Sequence, residues 1–329
     1  MKYHPNGSVL FVTFSIEEGL LLLSNPLCLA IIRSCLAAAQ KLYPLSICHL
    51  LVEATHIHLI AVVRNPDDVP SFLRHFKTES AHALNSLLGR DKRTIWCDGY
   101  DSPTVLTMTK TIAVIGYIYS NPAKDNLVGS VDDYPGFSTW KMFLKGEHTK
   151  FWKRIRRPQY RALTPDSHNL SGYTREAERL LGDSNEVESF TLEPNAWLEA
   201  FGITDRAQQE QVNLRVIQLI RYLELRAERK RQRQHKRVIG REKLIRQEFD
   251  VSYRPDRKGR RMWCPSDKRS IRIAYTRSLK RLKQEARRVL ALWRMGDTTA
   301  KYHGKVSAWV VSSIDAQASE RPYRSLALA

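Results

Sequence analysis

Between residues 9 and 122 the chain alternates short β-branched and aromatic runs with longer stretches of helical period, and that order limits the folds open to it. Residues 9–14 read as a strand, following the Asn6-Gly7 turn signal. Residues 26–42 read as a mostly apolar helix. A second strand over 47–52, a short polar break at Glu53 to Thr55 and a third strand over 56–63 make a hairpin. After the loop signals Pro66, Asp67 and Asp68, residues 71–88 carry helical spacing with Phe72, Phe76 and Leu84 on the apolar side. Residues 94–97 read as a short strand closed by Asp98-Gly99, and a helix follows from the Ser102-Pro103 cap to just before Pro122. The order strand, helix, strand, strand, helix, strand, helix predicts an α+β, ferredoxin-like sandwich with an extra helix, its antiparallel sheet covered on one face and free on the other to hold a site.

Charge divides the chain of 329 residues unevenly. Residues 1–150 hold 14 Lys and Arg against 13 Asp and Glu, a net +1, whereas residues 151–329 hold 39 against 21, a net +18. A field of that sign attracts polyanions, and no strongly apolar anchor accompanies it, so nucleic acid is the expected partner and a membrane is not. The apolar stretch over 19–39 is interrupted by Asn25, Pro26 and Arg33, which argues against a span. Five cysteines (Cys28, Cys35, Cys48, Cys97 and Cys264) lack paired spacing, fitting a reducing cytoplasm, and a nucleic-acid partner makes the nucleoid the expected place there. Pro158, Pro165 and Pro194 punctuate a weakly periodic stretch, and basic helical patterns follow near 205–246 and 270–295. The expected organisation is a catalytic domain over 1–145, a linker with short helices over 146–204, a mainly helical basic nucleic-acid-binding region over 205–295, and a tail over 296–329. On this reading residues 1–150 fold without the rest and bind DNA more weakly.

His56 and His58 alternate with Ile57 on the third strand, so both imidazoles face one side and can share a divalent ion, although a solvated polar pair has the same pattern. On the following helix Met108, Ile112, Ile115 and Tyr119 form an apolar stripe, which marks Tyr119 as core. Tyr117 lies about 200° around the helix from Tyr119, on the side of Lys110. Asn121 shares the Tyr117 face, where it serves either as a metal ligand or as a helix cap before Pro122.

The order His56-Ile57-His58, then Tyr117-Ile118-Tyr119-Ser120-Asn121-Pro122, then Leu127-Val128 and Asp133-Tyr134-Pro135 with Ser138, resembles the single-tyrosine HUH transposases of insertion sequences, and most closely their REP-associated tyrosine transposase branch. The resemblance covers roughly residues 5–145. It implies that His56, His58 and Asn121 bind Mg²⁺ or Mn²⁺ and that Tyr117 attacks single-stranded or hairpin DNA, leaving a 5′-phosphotyrosine and a free 3′-hydroxyl. This chain carries Thr55 where relatives often have Asn or Glu before the first histidine, and Gly136 where they have an aromatic residue. Arg74, His75, Lys77 and Lys124 are candidate phosphate contacts, Lys110 is a candidate cation for the phenolate, and a second copy of the chain is a candidate partner. The alternatives are a replication-initiator or relaxase-type nicking enzyme and a non-catalytic DNA-binding protein derived from a transposase.

Overall fold

Four antiparallel strands, β1 (Val9–Ser15), β2 (Ser46–Val52), β3 (His56–Val62) and β4 (Thr104–Val105), form one sheet in the order β2-β3-β1-β4. The computed structural model describes residues 4–88, 93–155, 186–247 and 266–297, with Thr299. Pro158, Pro165, Cys264 and nearly all of the expected tail lie outside the described residues.

Helix α1 (Pro26–Leu42) starts where the sequence places it. Asn25 caps it by accepting from the Leu27 amide at 2.9 Å, and Pro26 fills the first helical position, where no N–H is needed. Helix α2 (Asp68–Leu87) begins three residues before the apolar periodicity does, with Pro70 in its first turn. The two helices cover one sheet face, burying Leu10, Val12, Leu59 and Ala61 from the strands against Ile31, Cys35, Phe72 and Phe76.

The opposite face is not free. Val9, Phe11, Ile60 and Val62 alternate with the first set and are equally apolar, so this sheet needs cover on both sides. Helix α3 (Met108–Lys124) supplies it with Val114, Ile115, Ile118 and Tyr119. Two short helices, α4 (Trp140–Lys145) and α5 (Ala196–Glu199), add the buried indoles Trp140 and Trp197. Outside α3 lies the long helix α6 (Arg206–Arg233), capped by Asp205 and buried through Val212, Val216 and Ile220. The helices approach closely at Gly116, where a Cβ would stand 2.9 Å from Leu219 Cδ2.

Some boundaries differ from the sequence reading. Residues 94–97 form only a single bridge, Ile16 with Trp96, and the fourth strand is Thr104–Val105, inside the segment expected to begin the helix. Ser102 is not a cap; its hydroxyl pairs with His4 Nε2 at 2.9 Å. Pro122 does not end α3, because a proline in the last turn removes one hydrogen bond without stopping the turn that follows.

The described part of the expected linker forms a two-stranded antiparallel sheet, β5 (Thr149–Lys153) with β6 (Val187–Thr191). Phe190 and Leu192 enter the core beneath α1. After α6, the short helix α7 (Arg241–Ile245) buries Leu244 in the α3 core. Residues beyond 150 therefore complete both cores rather than form a separate one, and the expected independence of residues 1–150 has no counterpart in the packing. The basic helix α8 (Arg269–Arg294) buries only Tyr275, Leu282 and Val289, with the Tyr275 hydroxyl 2.8 Å from Thr104 Oγ1. Among the described residues no helix is long and apolar enough to cross a membrane.

Candidate metal and tyrosine site

The turn joining β2 to β3 is closed by reciprocal backbone bonds between Glu53 and His56, at 2.8 and 3.3 Å. Strand alternation then sets His56 and His58 on the α3 face with ring centroids 4.4 Å apart. One ligand atom each from Glu53, His56 and His58 lies within 4.8 Å of the others. Glu53 Oε2 is 3.2 Å from His56 Nε2. Glu53 is 2% exposed and His58 4%. Asn121 reaches the same point from α3: Nδ2 donates to Glu53 Oε2 and lies 3.5 and 3.4 Å from the Nε2 atoms of His56 and His58. A half-turn of that amide presents its oxygen there instead. The helix is capped at Asp125, so Asn121 is not a C-cap and its side chain belongs to this cluster.

The donor set suits a divalent cation. Burial, followed by the charges of His56 and Lys124, holds the His58 imidazole well below its ordinary pKa and hence neutral, the form that coordinates. Thr55 Oγ1 lies 2.9 Å from His56 Nδ1, a second partner that can fix the tautomer with Nε2 free. Glu53 Oε1 is buried without a hydrogen-bond partner, as expected of a carboxylate whose second oxygen is reserved for a ligand.

Tyr117 sits one turn before Asn121, half-buried, with its ring 5.5 Å from His58 and 6.3 Å from Phe11, edge-on to both. Lys124 Nζ lies over the ring at 4.7 Å and 3.4 Å from Asn121 Oδ1. Burial, reinforced by the negative charges of Glu53 and Asp125, pushes the Tyr117 hydroxyl up to about 12 against an opposing hydrogen bond from Asn121. The resting side chain is a phenol. Tyr119 points the other way: it is fully buried, with its hydroxyl 2.8 Å from Thr139 Oγ1 and 3.1 Å from His49 Nδ1.

The remaining sequence candidates divide. Lys124 is in the cluster, whereas Lys110 is on the first turn of α3, about two turns from Tyr117. The cation against the Tyr117 ring is thus Lys124. Arg74, His75 and Lys77 are on α2, across the sheet from α3, and are not brought together with Tyr117. Lys77 ties down a loop instead, donating to the carbonyls of Cys97 and Gly99 at 2.6 and 2.8 Å. Glu53 escaped the sequence reading as part of a polar break; its signal was an acidic residue three positions before the first histidine, across a tight turn. Gly136 also has a local reason: a Cβ there would fall 2.3 Å from the ring of Tyr134, whose hydroxyl donates to the Val52 carbonyl.

No family model matches the chain, and no curated protein matches it. A similar solved structure is that of a REP-associated tyrosine transposase bound to a REP hairpin, 24% identical, with 44% of this chain and 84% of that one covered and a TM-score of 0.39.

Proposed function

We propose that this chain is a single-tyrosine HUH transposase that cleaves and rejoins single-stranded or hairpin DNA, with Tyr117 as nucleophile and the sheet-and-helix body as a ferredoxin-like catalytic domain. The observation that carries the reading is the meeting of two elements: Tyr117 on α3 stands 5.5 Å ring to ring from His58 on β3, beside the cluster of Glu53, His56 and Asn121. The strand order β2-β3-β1-β4, with α1 and α2 on one face, supports the domain assignment.

In this reading Glu53, His56, His58 and Asn121 hold Mg²⁺ or Mn²⁺. The bound ion supplies neutralisation and orientation at a non-bridging phosphate oxygen. The Tyr117 oxygen attacks phosphorus, the bond to the 3′-oxygen breaks, and the phenolic proton is balanced by the 3′-hydroxyl released. Lys124 holds positive charge at the ring as the phenol loses its proton. The phosphotyrosine keeps the bond energy, so rejoining needs neither ATP nor an activated water.

Labelled hairpin and single-stranded DNA incubated with Mn²⁺ tests this. The expected product is a covalent protein–DNA adduct that is absent with Tyr117→Phe and with chelator. DNA binding with no adduct under any divalent ion would favour the non-catalytic DNA-binding alternative, and an adduct that survives Tyr117→Phe would remove Tyr117 from the reaction.

A further inference from the structure

The segment between α6 and the end of α7 is pinned at both ends to the elements that carry the site. At one end, the Ile239 and Gly240 amides each donate at 2.9 Å to the carbonyls of Asn126 and Leu127, just past Lys124 at the end of α3. At the other, Ser24, whose hydroxyl donates to the Leu21 carbonyl at 3.0 Å, touches Gln247 Oε1 at 3.4 Å, and the neighbouring Leu23 amide donates at 3.0 Å to the Ala54 carbonyl in the turn between Glu53 and His56. Between these pins Leu244 is 1% exposed and packs into the core that includes Tyr117. Arg231 adds a third tie at the start, its guanidinium donating to the Ala123 carbonyl in the last turn of α3.

Residues 236–247 therefore form a strap that borders the site from the nucleophile helix to the metal-side turn. Its exposed charged side chains are Lys236, Arg237, Arg241, Lys243 and Arg246, with Glu242 the one carboxylate among them, and Val238 and Ile239 are exposed beside them. A run of cations held by backbone bonds and a buried apolar anchor, Leu244, presents charge at a fixed place, unlike a charged helix that merely faces water.

We infer that this strap is the backbone clamp for the DNA strand at Tyr117: Arg241, Lys243 and Arg246 bind phosphates flanking the one to be cut and set its approach to the nucleophile. The inference rests on the transposase reading for the identity of that strand, but its binding arm can be tested separately. Phosphate contacts of this kind position the strand without reading its sequence.

The test uses full-length protein with Arg241→Gln, Lys243→Gln and Arg246→Gln combined, and a charge-keeping Arg241→Lys, Arg246→Lys variant. Binding to a fluorescein-labelled, mixed-sequence single-stranded oligonucleotide is titrated with salt, and adduct formation is timed at saturating DNA. Each lost phosphate contact lowers the slope of log affinity against log salt by about 0.7 for a single strand. The Gln variant should flatten that plot by about 2 units and slow the adduct at saturation, while the charge-keeping variant stays near wild type. A matched removal of three exposed cations from outside the basic region, at Lys141, Lys145 and Lys153, should leave the adduct rate at saturation unchanged. Wild-type slope and wild-type adduct rate in the strap variant would overturn the inference while leaving the function standing. Should wild type form no adduct with any DNA while the strap variant still flattens the plot, the catalytic reading falls and the clamp stands.

Discussion

Tyr117 and Tyr119 are two residues apart on α3 and meet opposite surroundings. Tyr117→Phe removes the proposed nucleophile but only a half-buried hydroxyl, so it should abolish the adduct with the melting temperature little changed. Tyr119→Phe leaves Thr139 Oγ1 and His49 Nδ1 without a shared partner in the core and should cost about 1–3 kcal/mol on chemical denaturation, with adduct formation kept. Glu53 makes a different prediction. A buried carboxylate with an unpaired oxygen is unfavourable without a cation, so Glu53→Gln should melt higher than wild type in chelator and gain less on adding Mn²⁺. A wild-type Mn²⁺ shift in that variant would take Glu53 out of the ligand set. His49 supplies a pH term: burial lowers its pKa to about 3 in the folded chain, well under the unfolded imidazole. Its stabilisation is complete above roughly pH 6.5, where both states are neutral, and is lost as the pH falls and only the unfolded state takes the proton, by about 1.4 kcal/mol per unit. Denaturation of His49→Gln between roughly pH 6 and 4 should show a slope shallower by that amount.

At the scale of elements, the contact between α3 and α6 turns on Gly116. A Cβ there meets the side chains of Leu219 at 2.9 and 3.1 Å and Leu223 at 3.3 Å, so the branched side chain of Gly116→Val must displace those leucines or part the helices. The expected cost is about 1–3 kcal/mol by thermal or chemical denaturation, and the adduct rate should fall too, because Tyr117 is the next residue on that helix. The first hairpin and α1 were legible because each is written locally, in alternation, in the Asn25-Pro26 cap and in the polar turn. Tyr119 was legible as core for the same reason, from its place in an apolar stripe. What was not legible depends on partners distant in sequence. The start of α3 at Met108 follows from the pairing of Thr104–Val105 with β1, and the Asn121 side chain is aimed by Glu53 and the histidines rather than by anything near Pro122. Lys77 read as a candidate phosphate contact because the carbonyls it ties lie in a loop about 20 residues away, a pairing that sequence spacing does not encode.

Over the whole molecule, the charge asymmetry suggested a neutral catalytic part and a separable basic part, but charge and packing are partitioned differently. The chain beyond residue 150 gives Phe190 and Leu192 to one core and Trp197, Val212, Val216, Ile220 and Leu244 to the other. Residues 1–150 alone should therefore lose cooperative thermal unfolding and the near-ultraviolet circular dichroism of the packed Trp140. A sharp, native-like melt of that fragment would show that α6 is dispensable cover. The same arrangement makes α6 a thermodynamic link, since its inner face is core and its outer face carries arginines and Lys230. Any polyanion that prefers the folded form of that outer face adds RT ln(1 + [L]/Kd) to the stability of the helix beneath it, and with it of the site. Melting temperature should then report binding at the face of α6 turned away from the nucleophile helix, and loosening of α6 should by the same equilibrium release whatever is bound there.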